Sequence, residues 1–324
     1  MKREVWGNHA SEVGNMGDIS IGMVGAGNWA IVRAGRFNDI EGCRVVLGWS
    51  RSESSRERFG RELDAPTLDD WRAVCTSADV DAIVVSTPHV FHFEQAQAAL
   101  AGGKHVFVET PLCMDYEQAL ELVELARPHG LVIHHGAKWR YHPDHPQEIE
   151  SLRKTGRLVY AEQTATFDGG PDRSWYRDLS LSGGGFALLP YLAVDFFEAF
   201  GEVAGVDGRH VRQNGLDVAT MWVDFAGGGQ AKLTYGTGEG IADVQAGLVV
   251  GTEGAVQWGT GQPKRFIKGD QVIELPGRRD VDVVLCENRA FTDAIRGTRD
   301  SRPDLELDLA ILKAVTEARQ KARA

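Results

Sequence analysis

The sequence predicts an α/β protein in two parts, a doubly wound parallel sheet followed by a second α/β domain with an open, mainly antiparallel sheet. Strand-like apolar runs alternate with helix-compatible segments up to residue 137, which is typical of parallel sheets. From residue 138 the strand-like runs alternate apolar and polar residues, as strands with one buried face do. A chain of 324 residues with 43% hydrophobic composition is long enough for two cores.

We expect the two domains at residues 19–137 and 138–324, after a mobile tail at residues 1–18 that lacks the apolar core of a signal peptide. The net charge of −11 comes without a basic stripe, which argues against a nucleic-acid partner. No apolar run approaches the ~20 residues of a membrane span, so we expect no membrane partner. Four cysteines without CxxC spacing predict buried free thiols and a cytoplasmic location; they are Cys43, Cys75, Cys113 and Cys286.

The stretch from Ile19 to Ala30 reads as a strand, a tight glycine turn and the start of a helix. Gly25 permits the turn, Gly27 lets the backbone approach a pyrophosphate, and Ala30 lets the helix pack closely on the strand. The N–H groups at the start of that helix would hold the diphosphate. A purely structural turn between a strand and a helix would give the same pattern. The predicted cofactor residues in this stretch are Gly25, Gly27, Asn28 and Trp29.

A second strand, Cys43 to Trp49, ends where a dinucleotide-binding domain normally places an acidic residue for the ribose. Ser50, Arg51 and Ser52 stand there instead. A guanidinium with two neighbouring hydroxyl groups suits a 2′-phosphate better than a bare ribose diol. The sequence therefore favours NADP over NAD.

Three further predicted strands end in polar or proline residues: Ala82 to Ser86, His105 to Val108 and Leu131 to His135. In doubly wound sheets the ligand binds outside the carboxyl ends of the strands. We therefore expect four residues beside the cofactor, namely Thr87, Pro88, His92 and Glu109. Predicted helices between the strands end near Gly60 or cover 69–75, 89–101 and 115–127.

The second half contains alternating runs that predict strands, and a glycine triplet that predicts a hairpin turn at 227–229. The predicted strands are Leu158–Phe167, Ala219–Phe225, Gln230–Tyr235 and Ala246–Val250. Helices are predicted over Leu188–Phe200 and Leu305–Lys321. We expect these helices to cover one face of the sheet.

Taken together, the motifs resemble the glucose-fructose oxidoreductase, inositol dehydrogenase and MocA (Gfo/Idh/MocA) family from Ile19 onward. The matching residues are Gly25-Ala26-Gly27, Ser86-Thr87-Pro88, His92, Lys104-His105-Val106, Glu109 with Pro111, Gly136, Arg140, Pro143, Trp175, Arg177, Gly183-Gly184-Gly185, Asp195 and Gly251-Thr252-Glu253-Gly254. The resemblance implies a Rossmann domain and a C-terminal domain whose sheet often forms homo-oligomers. It also implies hydride transfer between a nicotinamide and a sugar, cyclitol or related substrate.

The sequence departs from this family at three positions. Members usually carry a lysine in a Glu-Lys-Pro motif, and this chain has Thr110 there. They also carry an aspartate and a histidine four residues apart on the helix after the glycine triplet. Alignment on Asp195 places Leu188 and Leu192 at these positions, and alignment on the glycines places Leu189 and Ala193 there. Neither register supplies an acid or an imidazole.

Other groups could supply a proton, and the catalytic candidates are Glu109, Lys138 and Asp195. Predicted substrate contacts are Arg140, Tyr176, Arg177, Leu188, Tyr191 and Leu192. Structural roles, in salt bridges for the charged residues and in the core for the others, are the alternative for each. Four histidines lie near the domain junction, but the spacing of His134, His135, His142 and His145 does not favour a metal site.

We therefore expect an NADP-dependent oxidoreductase that transfers hydride to or from a small polar substrate, such as an imine or a sugar- or cyclitol-like carbonyl. Lys138 and Arg140 suggest that this substrate is anionic. The alternative is a nucleotide-binding protein without dehydrogenase activity, acting as a ligand sensor, regulatory partner or redox-neutral lyase. The intact glycine turn favours the oxidoreductase, and the three replaced residues favour the alternative.

Overall fold

Six parallel strands form the sheet of the N-terminal region, in the order β3-β2-β1-β4-β5-β6. The strands are β1 (Ile19–Val24), β2 (Cys43–Trp49), β3 (Thr67–Leu68), β4 (Ala82–Val85), β5 (His105–Val108) and β6 (Ile133–His135). The order reverses direction between β1 and β4, which is where such sheets open a ligand crevice. This computed structural model describes residues 18–168 and 175–322. Nearly all of the predicted tail, residues 1–17, lies outside the described residues.

Five helices connect these strands: α1 (Asn28–Asn38), α2 (Glu53–Leu63), α3 (Trp71–Thr76), α4 (His92–Ala101) and α5 (Tyr116–Ala126). The predicted helix from 89 to 101 is divided, because a 3-10 turn at His89–Phe91 precedes α4. Helix α1 buries Ala30, Ala34 and Phe37 in the core under the sheet. Ala30 is fully buried, so the small residue after the glycine turn allows the predicted close packing.

Eight strands form the second sheet, in the order β14-β13-β12-β11-β7-β10-β9-β8. They are β7 (Leu158–Phe167), β8 (Val203–Gln213), β9 (Leu216–Phe225), β10 (Gln230–Thr237), β11 (Val244–Gly251), β12 (Gly254–Gly259), β13 (Gln262–Lys268) and β14 (Gln271–Glu274). The described pairs are antiparallel except for β7 with β10. The predicted fold class is confirmed for both sheets.

The remaining helices of the described residues are α6 (His145–Arg153), α7 (Leu179–Ser182), α8 (Gly185–Leu188), α9 (Pro190–Phe200), α10 (Val283–Ile295) and α11 (Arg302–Lys321). The predicted helix from 188 to 200 is divided, because Pro190 starts a new helix at its first position. Phe196 of α9 and Val315 of α11 lie in one core with the sheet. Among the described residues, no helix combines the length and apolar character that a membrane crossing requires.

The last two helices also contact the N-terminal sheet. Phe291 of α10 lies in one core with Phe37 and Phe107, and Leu309 of α11 lies in another with Val108. The chain therefore returns to its first sheet after completing the second. The domain boundary at residue 137 stays a prediction.

A buried ion pair links the turn before α6 to helix α11. Arg140 donates from Nη2 to Oδ1 of Asp308 at 2.6 Å and from Nη1 to Oδ2 at 3.2 Å. Their side chains are 5% and 4% exposed. Burial alone would raise the pKa of Asp308, but Arg140 and His135 outweigh it and hold this pKa below its ordinary value. Arg140, predicted to contact an anionic substrate, thus has its charge compensated within the protein.

Replacing Asp308 with alanine should leave the Arg140 guanidinium buried without its partner. We expect Asp308→Ala to lower the free energy of unfolding by about 3–5 kcal/mol, measured by chemical denaturation. Glu253→Ala is the control, since Glu253 and Lys268 form an exposed pair with side chains 62% and 57% exposed, and should cost less than about 1 kcal/mol. Equal losses in both variants would contradict this assignment.

Candidate active site

The glycine turn after β1 leaves open space at the start of α1. Gly25 has φ +115°, and a Cβ there would lie 2.2 Å from the carbonyl oxygen of Ser86, so only glycine fits. Gly27 is the N-cap of α1, and nothing lies within 4 Å of the position its Cβ would take. The N–H groups of the first turn therefore face an unobstructed space. This geometry fits a diphosphate.

Arg58, on the helix that follows β2, forms hydrogen bonds to this glycine turn. Its Nη1 donates to Oδ1 of Asn28 at 2.6 Å, and its Nη2 donates to the carbonyl oxygen of Ala26 at 3.3 Å. The predicted cofactor residue Asn28 is therefore held by a guanidinium that also adds positive charge beside the turn. Sequence reasoning missed Arg58, because nothing in the helix pattern identifies which arginine reaches back to the turn.

The residues after β2 are also positioned by an arginine of α2. Arg56 donates from Nη1 to the carbonyl oxygen of Ser50 at 2.7 Å. Ser52 caps α2 and accepts from the N–H of Ser55 at 3.3 Å. Arg51 is exposed beside the N-terminus of this helix. The predicted 2′-phosphate group would meet both a guanidinium and a helix N-terminus here.

Glu109, at the end of β5, is engaged by two side chains of α1. It accepts from Nε1 of Trp29 at 2.7 Å and forms a bidentate pair with Arg33, whose Nη2 lies 3.2 Å from Oε2. Its side chain is 15% exposed. The carboxylate is thus fixed beside the crevice by Trp29, another predicted cofactor residue.

Arg33 itself is 1% exposed and has further partners on α10. Its Nη2 lies 2.8 Å from Oε2 of Glu287, and its Nη1 donates to Oδ1 of Asn288 at 2.8 Å. Burial raises the pKa of Glu287, while Arg33 opposes this. Sequence reasoning missed this cluster, although an arginine on the apolar stripe of α1 between Ala30 and Phe37 was a signal that it has a buried partner.

His92 connects the ends of β4 and β5 and does not offer a nitrogen to the crevice. Its Nδ1 lies 2.7 Å from the carbonyl oxygen of Pro111, and its Nε2 lies 2.8 Å from that of Thr87. Burial lowers its pKa. Both contacts hold the strand ends, including Thr87-Pro88, in place, and cofactor binding by His92 stays a prediction. Thr110 donates to the carbonyl oxygen of Gly136.

A cavity of about 520 Å³ brings together most of the predicted substrate and catalytic residues. It lies between the turn at 138–141, helix α9 and the sheet. The predicted residues that line it are Lys138, Arg140, Tyr176, Leu188, Tyr191, Leu192 and Asp195. The cavity also contains residues that sequence reasoning missed, including Trp139, Glu148, Phe167, Tyr235, Trp258, Lys264 and Arg278. Its walls thus combine aromatic and apolar side chains with charged and amide groups.

Helix α9 presents Tyr191 and Asp195 to this cavity, four residues apart and therefore on one helix face. Burial of the hydroxyl raises the pKa of Tyr191, and Glu109 adds to this effect. Desolvation also raises the pKa of Asp195, and Glu148 adds to it, although His145 acts in the opposite direction. Both groups therefore retain protons more strongly than they would in water.

Leu188 and Leu192 line the cavity as predicted, and they are also core residues with 2% and 6% exposure. A contact with substrate and a role in the core are therefore both compatible with the positions of these leucines. Arg177 was predicted to contact substrate, but its Nε donates to Oδ1 of Asp168 at 3.0 Å and its Nη1 lies 3.4 Å from Glu239. Like Arg140, it has its charge compensated by the protein's own carboxylates.

Lys138 lies between the crevice and the cavity. Its Nζ is 4.5 Å from the ring centroid of Trp29 and 5.9 Å from that of Trp139. Tyr176 stacks on Trp175, with ring centroids 4.2 Å apart. These contacts place an ammonium group between two indole rings, where cation–π attraction holds it.

The four histidines have separate partners. His134 stacks on Phe107, His135 lies 3.2 Å from Asp308, and His145 lies 2.8 Å from Glu198. His142 lies 3.1 Å from the carbonyl oxygen of Arg279. The four rings contact different groups, although Nε2 of His134 and both nitrogens of His135 are buried without a hydrogen-bond partner among the described residues. Cys43, Cys75 and Cys113 are buried free thiols, and Cys286 is partly buried.

Comparison with known proteins relates the N-terminal region to oxidoreductases. Residues 19–137 match the family described as "Oxidoreductase family, NAD-binding Rossmann fold". A dTDP-3,4-didehydro-2,6-dideoxy-alpha-D-glucose 3-reductase of Actinomadura kijaniata is 34% identical over 143 residues, which are 43% of this chain and 42% of that protein. A glycosyl hydrolase family 109 protein of Shewanella amazonensis is 32% identical over 35% of this chain and 27% of its own length. The matches thus span less than half of these relatives.

Solved structures match nearly the whole chain. Biliverdin reductase from Synechocystis sp. PCC 6803, in complex with biliverdin and NADP+, has a TM-score of 0.84 and 25% identity, covering 94% of this chain and 99% of that one. A 3-ketoreductase from Actinomadura kijaniata, in complex with NADP and TDP-benzene, has a TM-score of 0.81 and 24% identity over 94% and 98%. The arrangement of both sheets is therefore shared with these proteins.

The open space at Gly27 permits a direct test of the diphosphate site. Gly27→Asp should fit without a clash, since nothing lies within 4 Å of the added Cβ, and its carboxylate should repel the diphosphate. We expect NADPH binding, measured by fluorescence titration, to weaken by roughly 100-fold, as like charges at close range cost several kcal/mol. The melting temperature should stay unchanged, and unchanged NADPH affinity would exclude this site.

Proposed function

We propose that this protein is an NADP-dependent reductase of flat, conjugated, imine-type substrates. Through residues 19–137 the chain belongs to the Gfo/Idh/MocA family of oxidoreductases. The observation that carries the proposal is the cavity wall. The family's aspartate and histidine align with Leu188 and Leu192 or, in the other alignment, with Leu189 and Ala193. All four of these residues are buried. The likeness to a biliverdin reductase, whose ligand is a linear tetrapyrrole, gives the first substrate to test.

The chemistry of the two substrate classes supports this choice. Reduction of a sugar carbonyl produces an alkoxide, which needs a positioned acid worth ~10² to 10⁴ in rate. Hydride addition to a conjugated imine leaves the negative charge on nitrogen and on the conjugated system, or neutralises an iminium. Such a product depends less on a strong acid in the protein. An aromatic wall also packs well against a flat conjugated molecule.

NADPH supplies the hydride when it is bound, and the chain's residues hold the two reactants. The turn at Gly25 and Gly27 would receive the diphosphate, and Arg51 the 2′-phosphate. Glu109 would contact the cofactor from the end of β5, held in place by Trp29 and Arg33. The arrangement orients cofactor and substrate toward each other, and such positioning alone contributes substantially to rate.

Tyr191 is the group we assign to the substrate nitrogen. Its raised pKa keeps the hydroxyl protonated at neutral pH, so it can donate a hydrogen bond to nitrogen as charge develops there. Asp195, one helical turn further along α9, would lie deeper along the same face. Lys138 would provide positive charge between the cofactor crevice and the cavity, in place of the lysine that Thr110 replaces.

A nucleotide-binding protein without hydride transfer is the second candidate. Thr110 favours this second candidate, because a neutral residue occupies the position where the family usually has a lysine. Its hydroxyl donates to the carbonyl oxygen of Gly136. The two candidates differ in one observable result. Tight NADPH binding without NADPH oxidation by any carbonyl, imine or tetrapyrrole would support the second.

Arg51→Ala tests the assignment of the cofactor. The substitution should weaken NADPH by about tenfold or more, because a charge-assisted contact to phosphate contributes about 1.5–3 kcal/mol. NADH, which lacks the 2′-phosphate, should lose less than twofold, since only its own diol contacts would change. Fluorescence titration with both cofactors measures the ratio. Equal losses for the two cofactors would overturn the 2′-phosphate assignment.

Tyr191→Phe tests the proposed reaction. Purified protein should oxidise NADPH with biliverdin and not with sugar ketones, followed by the absorbance of NADPH. Loss of the phenol should lower kcat for biliverdin about 100-fold, the lower end of the effect of positioned donors. Tyr160→Phe is the matched control, because Tyr160 bonds Glu162 on β7 outside the cavity. Preferred reduction of a sugar ketone would contradict the proposal.

A further inference from the structure

One part of the cavity carries two cations, each facing an indole ring. Lys264 lies on β13, and its Nζ is 5.2 Å from the ring centroid of Trp258. Arg278 lies in the segment after β14, and its Cζ is 4.6 Å from the ring of Trp139. All four residues line the cavity. Because each aromatic ring holds a charged group over its face, the two cations are positioned before any ligand binds.

The backbone that carries Arg278 is fixed by its neighbour. Arg279 donates from its backbone N–H to Oδ2 of Asp144 at 2.8 Å and from its Nε to Oδ1 at 2.7 Å. These hydrogen bonds lower the pKa of Asp144 to about 2. His142 contacts the carbonyl oxygen of Arg279. These contacts hold the backbone next to Arg278 in a fixed position, as a preformed binding site requires.

Both cations contact the carboxylate of Glu148. Arg278 donates from Nε to Oε2 of Glu148 at 2.7 Å, and Nζ of Lys264 lies 3.6 Å from Oε1. The side chains of Lys264 and Arg278 are 22% and 28% exposed, so each keeps a surface open to the cavity. The neighbouring acid is Asp195, whose pKa desolvation raises.

We propose that Lys264 and Arg278 form a carboxylate-binding subsite that receives an acidic side group of the substrate. The planar guanidinium suits carboxylate geometry, and the indole rings suit an adjoining flat skeleton. This inference rests on the proposed function and defines its substrate class as conjugated carboxylic acids.

The position of the subsite sets the orientation of the substrate. Lys138 lies over Trp29 at the cofactor crevice, and Trp139 contacts both Lys138 and Arg278. A carboxylate at Arg278 would therefore anchor one end of an elongated molecule away from the crevice. Its conjugated centre would then extend along the wall formed by Lys138 and Tyr191 toward the cofactor.

A matched pair of fluorescent probes tests the subsite independently of hydride transfer. Pyrenebutyrate and pyrenebutanol share a flat skeleton and differ in the carboxylate, and both are titrated against the NADP+-saturated protein. We expect pyrenebutyrate to bind about tenfold tighter, as hydrogen bonds to charged groups do. Lys264→Gln and Arg278→Gln should each reduce this preference to about twofold or less and leave pyrenebutanol binding unchanged.

Lys232→Gln is the matched control. Lys232 also lies over a tryptophan, with Nζ 5.8 Å from the ring of Trp222, but neither residue lines the cavity. This variant should keep the full preference for pyrenebutyrate. An undiminished preference in both cavity variants, or equal losses for the two probes, would overturn the subsite. Circular dichroism checks that each variant is folded, and having two variants guards against failure of one.

The two proposals can fail separately. If biliverdin does not oxidise NADPH while the pyrenebutyrate preference depends on Lys264 and Arg278, the subsite holds and the proposed reaction is wrong. If biliverdin is reduced but the preference is unaffected by both substitutions, the reaction holds and the subsite is wrong. If both hold, the dimethyl ester of biliverdin should show a KM raised about tenfold, with little change in kcat.

Discussion

The crevice between the two sheets depends on the buried guanidinium of Arg33. A buried charge that lost its partners would be strongly destabilising, so this side chain constrains every element that pairs with it. Glu109 fixes the end of β5, and Glu287 and Asn288 fix α10. The position of α1, and with it the glycine turn, is therefore coupled to a helix from the far end of the chain. The same guanidinium lies 4.3 Å from the ring of Phe107, which closes the cluster from the sheet side.

Residue 110 does not supply the positive charge of the crevice. Thr110 bonds to the backbone and contributes no charge. Positive charge reaches the same region from Lys138, which follows β6 and lies over Trp29. On α9 the polar residues facing the cavity are Tyr191 and Asp195, and the neighbouring leucines belong to the wall. The site therefore combines aromatic side chains with both cationic and acidic groups.

Local patterns in the sequence were enough to predict the glycine turn and every strand of the first sheet except the two-residue β3, because these depend on residues close together in the chain. The dihedral angle at position 25 requires glycine, and the close packing of α1 on the sheet requires a small residue at position 30. Strand β14 was missed because all four of its residues are exposed and show no alternation. The partners of Arg140 and Arg177 were missed because composition reveals a charge but not the distant carboxylate that compensates it. Arg278 lies in an irregular segment, and only the folded chain brings it to the cavity.

The most direct test of the central claim is to follow the hydride itself. NADPH carrying deuterium at the transferable position of the nicotinamide is mixed with the protein and biliverdin, and the tetrapyrrole product is analysed by mass spectrometry. We expect one deuterium bound to carbon in the product, in proportion to the NADPH consumed. Product without deuterium, or NADPH that stays bound and unoxidised throughout, would contradict it.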